Sequence, residues 1–320
     1  MVILSAYIRL AEVGIGCPDW PSCYAQLNPD TEKKGVTVLT EDSRNVAYYG
    51  ARIAHRYIAS TLGLFIVAIF IVALRQGNAR TSHVVVPIAI FAITVFLSLL
   101  GYYTPTRSNP LITMGNLLGG MALLGLLWWL MQRDTGGAEA PSASRPLIPL
   151  AKIALLLVLL QIVLGAWSSA NYASANCPGL LQCEGNILAA NNMADAFNPA
   201  RTIELDATGQ VVRVESLGLL SMAHRLFALL TAGYLAWLVR KLKSGAEMKV
   251  KLGGTLVALS VFSIGQVALG VSMIWLDLPL LLVSLHNSLA AGLLLSSINL
   301  LHRLTPPAGS PLPVTPLPHP

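Results

Sequence analysis

From residue 49 to residue 301 the apolar residues fall in long blocks separated by polar stretches. A block of about 20 apolar residues is what an α-helix needs to cross a bilayer. The pattern predicts helix 2 at about 49–74, helix 3 at about 83–103 and helix 4 at about 111–132. Helix 5 follows at about 148–169, and helices 6, 7 and 8 near 217–240, 252–274 and 278–301. Residues 1–12 (MVILSAYIRLAE) are apolar as well. At a rise of 1.5 Å per residue they cover roughly 18 Å of a core about 30 Å thick. Helix 1 is therefore expected to be truncated or to begin upstream, and residues 1–12 show no signal-peptide pattern.

The polar stretches divide the chain. Residues 13–48 form a first long loop and residues 170–216 a second. Residues 133–147 (RDTGGAEAPSASRPL) are rich in Gly, Ala, Ser and Pro and read as a flexible linker. The proline-rich stretch 304–320 reads as a disordered tail. The expected organisation is a four-helix unit at 1–132, a linker at 133–147 and a second four-helix unit at 148–303.

Composition agrees with a membrane chain. Only 11% of the 320 residues are charged and 54% are hydrophobic, whereas a soluble domain carries roughly twice that charge. The net charge of +6 does not indicate nucleic acid, because the basic residues cluster in short loops. Arg75, Arg80, Arg133, Arg145, Arg240, Lys241, Lys243, Lys249, Lys251 and Arg303 follow helices 2, 4, 6 and 8. The much longer opposite loops hold only Lys33, Lys34, Arg44, Arg107, Arg201 and Arg213. The positive-inside rule then places the long loops outside.

The two halves repeat. At an offset of 160, Ala6, Cys17, Pro18 and Cys23 fall on Ala166, Cys177, Pro178 and Cys183. His55-Arg56 and His224-Arg225 match at an offset of 169. The fold expected is an all-α polytopic membrane protein of two tandem four-helix bundles, related by a pseudo-twofold axis along the membrane normal.

Three histidines lie inside predicted spans: His55 in helix 2, His224 in helix 6 and His286 in helix 8. An ionisable side chain at that depth is costly unless it is paired or ligating. Each stands about seven to nine residues from the outer end of its helix, roughly 10–13 Å along the axis, so the three share one depth. His224 and His286 belong to one unit, where facing imidazoles can ligate an iron from both sides of a porphyrin. The plainer reading of each is a structural histidine hydrogen-bonded between helices. Arg56 and Arg225 either meet heme propionates or snorkel outward. In helix 4, Asn116 or Gly115 stands where the second unit has His286, and Asn116 is most simply a small polar packing residue.

Cys17/Cys23 and Cys177/Cys183 share one spacing, each pair in an outer loop. In an oxidising compartment such pairs read as disulfides. Four cysteines allow three pairings, and pairing within each loop is favoured by nearness in sequence. A thiolate metal site is the rival, weakened by loops without histidine and by spacing unlike that of zinc sites.

Several stretches, taken together, resemble the heme A synthase family of cytochrome oxidase assembly proteins. They are AYIRLAEVGIGCPDWPSC (6–23), AHRYIASTLGL (54–64), NLLGGMALLGLLWWL (116–130), QIVLGAWSSANYASANC (161–177), AHRLFA (223–228) and LPLLLVSLHNSLAAGLLL (278–295). The segment Asp195-Ala196-Phe197-Asn198 is similar to the proteobacterial branch. The resemblance implies oxidation of a heme O ring methyl to a formyl group. It implies heme b held by His224 and His286 with Arg225 beside it, and heme O bound at His55 near Arg56 and Asn116. The partners to expect are heme O synthase, other cytochrome oxidase assembly factors, membrane lipid and a second copy of the chain. The location to expect is a bacterial inner membrane with both cysteine loops periplasmic. Two positions depart from the family: Arg52 stands where it carries a glutamate three residues before the first histidine, and helix 4 lacks its histidine. Arginine cannot act as a carboxylate base. A second reading follows, a catalytically degenerate heme b protein that assists oxidase assembly. A diheme electron carrier fits less well, since it needs two complete histidine pairs.

Overall fold

The computed structural model describes residues 1–11, 44–75, 82–103, 109–134, 144–185, 189, 192–204, 212, 214–276, 278 and 280–305. Cys17 and Cys23, most of the loop at 13–48, residues 135–143 of the linker and the tail beyond residue 305 lie outside these residues.

The helices are α1 (Val2–Ala11), α2 (Arg44–Arg75), α3 (Ser82–Tyr103), α4 (Pro110–Asp134), α5 (Ile148–Ala170), α6 (Ser216–Lys243), α7 (Ala246–Trp275) and α8 (Leu280–Leu304). Among the described residues there is no strand. Among the described residues seven helices, α2 to α8, are long and apolar enough to cross a membrane.

Several helices outrun their apolar blocks. Helix α7 begins six residues before the sequence pattern implies, and its first turns carry a Glu247–Lys251 ion pair at 3.3 Å. Polar residues continue a helix past the hydrocarbon when i,i+4 pairing supports them. Helices α2, α4, α6 and α8 all have basic residues in their last turn, and α3, α5 and α7 have none. Cations there face the negative end of the helix dipole, and the asymmetry is the one that orients a polytopic chain.

Packing follows a ring order. In the second half α5 packs on α6, α6 on α7, α7 on α8, and α8 on α5. In the first half α1 packs on α2, α2 on α3, α3 on α4, and α4 on α1. The halves meet where α4 touches α5 and α8, and where α1 touches α8.

The largest buried cluster lies in the second half, with Leu238, Leu242, Leu252, Leu256, Leu300 and Leu304 almost fully enclosed. A smaller one joins Ile66, Ile90 and Leu123 in the first half. Leu64 and Ile264, by contrast, are 73% and 70% exposed. In lipid such residues lose nothing by facing outward, so helix association rests on close packing and interhelical hydrogen bonds. Three of those bonds tie the second half: Tyr234 Oη to the Leu150 carbonyl (3.0 Å), Asn299 Nδ2 to Thr255 Oγ1 (2.9 Å) and Arg303 to the Lys251 carbonyl (3.0 Å).

Between α5 and α6 the chain forms an ordered cap. Helix α5 ends at Asn171, whose side chain donates to the Trp167 carbonyl at 2.9 Å. Tyr172 then takes a left-handed conformation (φ 53°), uncommon for a residue with a Cβ. That turn sends the chain into a 3₁₀ turn at Ala173–Asn176 and on to Cys177. Asn176 accepts from the Val214 amide at 3.0 Å, and Trp167 Nε1 donates to the Ala196 carbonyl at 2.9 Å. Asp195 receives Arg201 at 2.6 Å and the hydroxyl of Ser216 at the start of α6. The Asp195–Asn198 segment thus docks where α5 ends and α6 begins.

Candidate functional site

His224 stands on α6 and His286 on α8, two helices placed diagonally in the second ring. Side chains on diagonal helices of a four-helix ring can meet across its interior. Two imidazoles projecting across it can grip a flat group from both faces.

Each histidine is backed by the helix before it. Gln161 of α5 donates through Nε2 to the His224 carbonyl at 3.1 Å and lies 3.1 Å from His224 Nδ1. A Cβ on Gly165, one turn along α5, would meet His224 Cε1 at 2.8 Å, so the ring occupies the space that glycine leaves. Gln266 of α7 donates to the His286 carbonyl at 2.8 Å, and a Cβ on Gly270 would sit 3.7 Å from His286 Cε1. Nδ1 of His286 is buried without a hydrogen-bond partner, as is Oε1 of Gln161. A buried polar atom left unpaired is costly, so both are available to a hydrogen-bond partner. The donor set, two neutral imidazoles in an apolar interior, suits the iron of a porphyrin.

Arg225 does something other than the two readings its sequence neighbourhood offers. Its guanidinium donates to the carbonyls of Gly179 (2.5 Å), Leu180 (2.9 Å) and Cys177 (3.0 Å). Cys177 and Cys183 are joined in a disulfide. Arg225 therefore pins the disulfide loop over the end of the second ring where α6 begins, one residue from His224 in the chain. Its planar fork spreads five N–H groups over carbonyls that stand apart, whereas lysine offers its donors from a single point.

The first ring is less complete. His55 is half-buried on α2, and Asn116 is exposed on α4, the helix diagonal to it. Gly115 packs toward Leu100 of α3, where a Cβ would lie 3.3 Å away. Arg52 and Arg56 flank His55 on the same helix and both are engaged rather than free. Among the described residues no further cluster of three histidine, cysteine or carboxylate side chains is arranged to hold a metal ion.

The residues that sequence reasoning passed over are Gln161, Gly165, Gln266 and Gly270. Their signal was available: QIVLG (161–165) and QVALG (266–270) are the same glutamine–glycine pair one helical turn apart.

Comparison with known proteins agrees with this arrangement. The family described as cytochrome oxidase assembly protein, COX15-CtaA, matches residues 1–298. A protein of Shewanella oneidensis named heme A synthase is 32% identical over 94% of this chain and 91% of its own. The Arabidopsis thaliana heme A synthase COX15 is 25% identical over 97% of this chain and 72% of its own. Protoheme IX farnesyltransferase 1 of Natronomonas pharaonis is 24% identical over 47% of this chain and 29% of its own. With a match that runs almost from end to end and a histidine-lined ring, the chain belongs to the COX15-CtaA family of cytochrome oxidase assembly proteins.

Proposed function

We propose that this protein is a heme A synthase of a bacterial inner membrane, oxidising a ring methyl of heme O to a formyl group for cytochrome oxidase assembly. The observation that carries the reading is the diagonal His224–His286 pair, each ring backed by a glutamine and a glycine, in a chain of this family. In this reading His224 and His286 are the axial ligands of a resident heme b, which supplies one-electron redox chemistry when bound. Heme O occupies the first ring at His55, and the repeated ring order supports two tandem units related by a pseudo-twofold axis. Converting a methyl to a formyl group withdraws electrons and inserts an oxygen, so a redox group next to the substrate fits the chemistry. The protein's own part is to fix the imidazoles, to exclude water beneath the loop held by Arg225, and to orient the porphyrin edge. The cysteine loops face the periplasm in this arrangement, where disulfides persist.

One specific feature favours a second reading. Arg52 brings a positive charge one helical turn from His55, where the family resemblance implies a carboxylate. Asn116, an amide, stands diagonal to it. On that reading the second ring still holds heme b, and the chain assists oxidase assembly without oxidising heme O.

Both are tested by co-expressing the protein with a heme O synthase in a host that makes no heme A, then separating the extracted pigments chromatographically. Heme A in the extract establishes the enzyme. Bound heme B with heme O unconverted establishes the second reading. A protein purified without heme overturns both.

A further inference from the structure

Two glutamines lie outside the roles assigned so far. Gln161 and Gly165 on α5, and Gln266 and Gly270 on α7, form one stripe each, four residues apart on a helix face. Each stripe meets the following helix at its histidine. Both glutamines donate Nε2–H to the histidine's own backbone carbonyl, at 3.1 Å and 2.8 Å. That carbonyl has two lone pairs, and inside a helix one already accepts the amide four residues on. The glutamine takes the second and ties the histidine's axial position to its neighbour helix.

The first half has neither glutamine: at the offset of 160 Met1 and Ser5 fall on Gln161 and Gly165, although α2 carries His55. At the offset of 169 that aligns His55 with His224, Leu97 and Gly101 of α3 fall on Gln266 and Gly270. Helix α4, which α3 backs, has no histidine. The glutamine is missing from the helix pair that lacks the histidine and from the pair that keeps His55 alike.

The two glutamines differ in one respect. Gln161 Nε2 also lies 3.1 Å from Nδ1 of His224, whereas Nδ1 of His286 is buried without a partner. An imidazole that binds iron through Nε2 keeps its proton on Nδ1, and the acceptor of that proton tunes the ligand's basicity. The remaining atom of the same carboxamide, Gln161 Oε1, is buried and unpaired. To accept an Nδ1 proton the Gln161 carboxamide must turn, bringing Oε1 to the ring in place of Nε2 and exchanging the carbonyl bond for a ring bond, an exchange open to Gln161 because its Nε2 already lies 3.1 Å from Nδ1.

We propose that Gln161 and Gln266 are positioning residues for the two axial histidines and that they act unequally. Gln161 governs the hydrogen bond at Nδ1 of His224 and through it the electron-donating strength of that ligand. Gln266 fixes the backbone of His286 alone. The proposal rests on the heme reading above. A merely structural pair of interhelical amides would make the two equivalent.

The test uses full-length protein in lipid nanodiscs, loaded with heme, and reads the reduction potential, the low-spin spectrum and the rate of heme loss. Gln161→Glu strengthens the acceptor at Nδ1 and lowers the potential; Gln161→Leu removes it and raises the potential. Gln266→Leu leaves the potential at the wild-type value while heme binding weakens about 10-fold, the lower end for a lost outer-shell contact. Wild-type potentials in both Gln161 variants overturn the proposal, as does a Gln266→Leu shift equal to that of Gln161→Leu. Should Gln161→Leu fail to fold, Gln161→Glu, of nearly the same shape, decides the question by itself. A wild-type protein without a low-spin heme spectrum overturns the heme reading and this proposal together. A normal wild-type spectrum with unresponsive Gln161 variants overturns the positioning role alone.

Discussion

Replacing Gly165 by alanine probes the second ring with a single methyl. The added Cβ would stand 2.8 Å from His224 Cε1 and 3.4 Å from Nδ1. Carbon atoms rest at about 3.5–4.0 Å, so the ring must retreat by roughly 0.7–1.2 Å or α5 must move off α6. Overpacking of this kind costs about 1–3 kcal/mol, and alanine returns about 1 kcal/mol in helix propensity. The net penalty on the fold is about 0–2 kcal/mol, which leaves the protein assembled. The displacement falls on the imidazole, which also loses its 3.1 Å contact with Gln161. Misplacing a ligand by this amount is expected to cut heme occupancy about 10-fold. Gly270→Ala is the matched control, because its Cβ would stand 3.7 Å from His286 Cε1, at ordinary contact distance. It gains the propensity with little steric cost. The assay is the heme-to-protein ratio and low-spin absorbance of each purified variant, with thermal unfolding alongside. Equal heme content in Gly165→Ala and wild type would refute the reasoning, and so would equal damage from the two alanines.

Other perturbations test separate parts of the structure. Arg225→Met removes three guanidinium hydrogen bonds and should speed amide hydrogen exchange across residues 177–185, with the membrane helices unaffected; unchanged exchange there would show that the loop is held by something else. Asn299→Leu takes away the bond to Thr255 and should lower stability by about 0.6 kcal/mol, within about 1.7 kcal/mol at most, read from denaturation in mixed micelles. Cys177 and Cys183 should label with maleimide only after reduction, and labelling of the untreated protein would contradict the bond.

The spans were legible because hydrocarbon demands a continuous apolar run, and the sequence of α2 to α8 supplies one each time. Their ends were not. Residues 246–251 and Lys241–Lys243 interrupt the apolar run with lysines and a glutamate, so they read as loop, yet they extend α7 and α6 beyond the apolar blocks. His224 and His286 stood out because a titratable group in a span is rare and expensive. Gln161 and Gln266 did not, since a neutral amide in an apolar run is common and its partner lies on another helix. Arg225 shows the limit of position in sequence: adjacency to a histidine does not say whether a guanidinium meets a propionate, lipid phosphate or a loop carbonyl. Here it meets carbonyls 45 to 48 residues away, which only the folded chain brings near.

Those carbonyls also bear on how the protein is made. Cys177, Gly179 and Leu180 leave the ribosome before α6 does, and Arg225 lies nine residues into that helix. While α5 alone is in place, the loop that follows it has nothing to dock on. Arrival of α6 supplies the guanidinium, Ser216 for Asp195 and the Val214 amide for Asn176 together. Docking of the cap is thereby tied to completion of the α5–α6 hairpin during biogenesis, and a chain stalled before α6 would present an undocked loop to quality control.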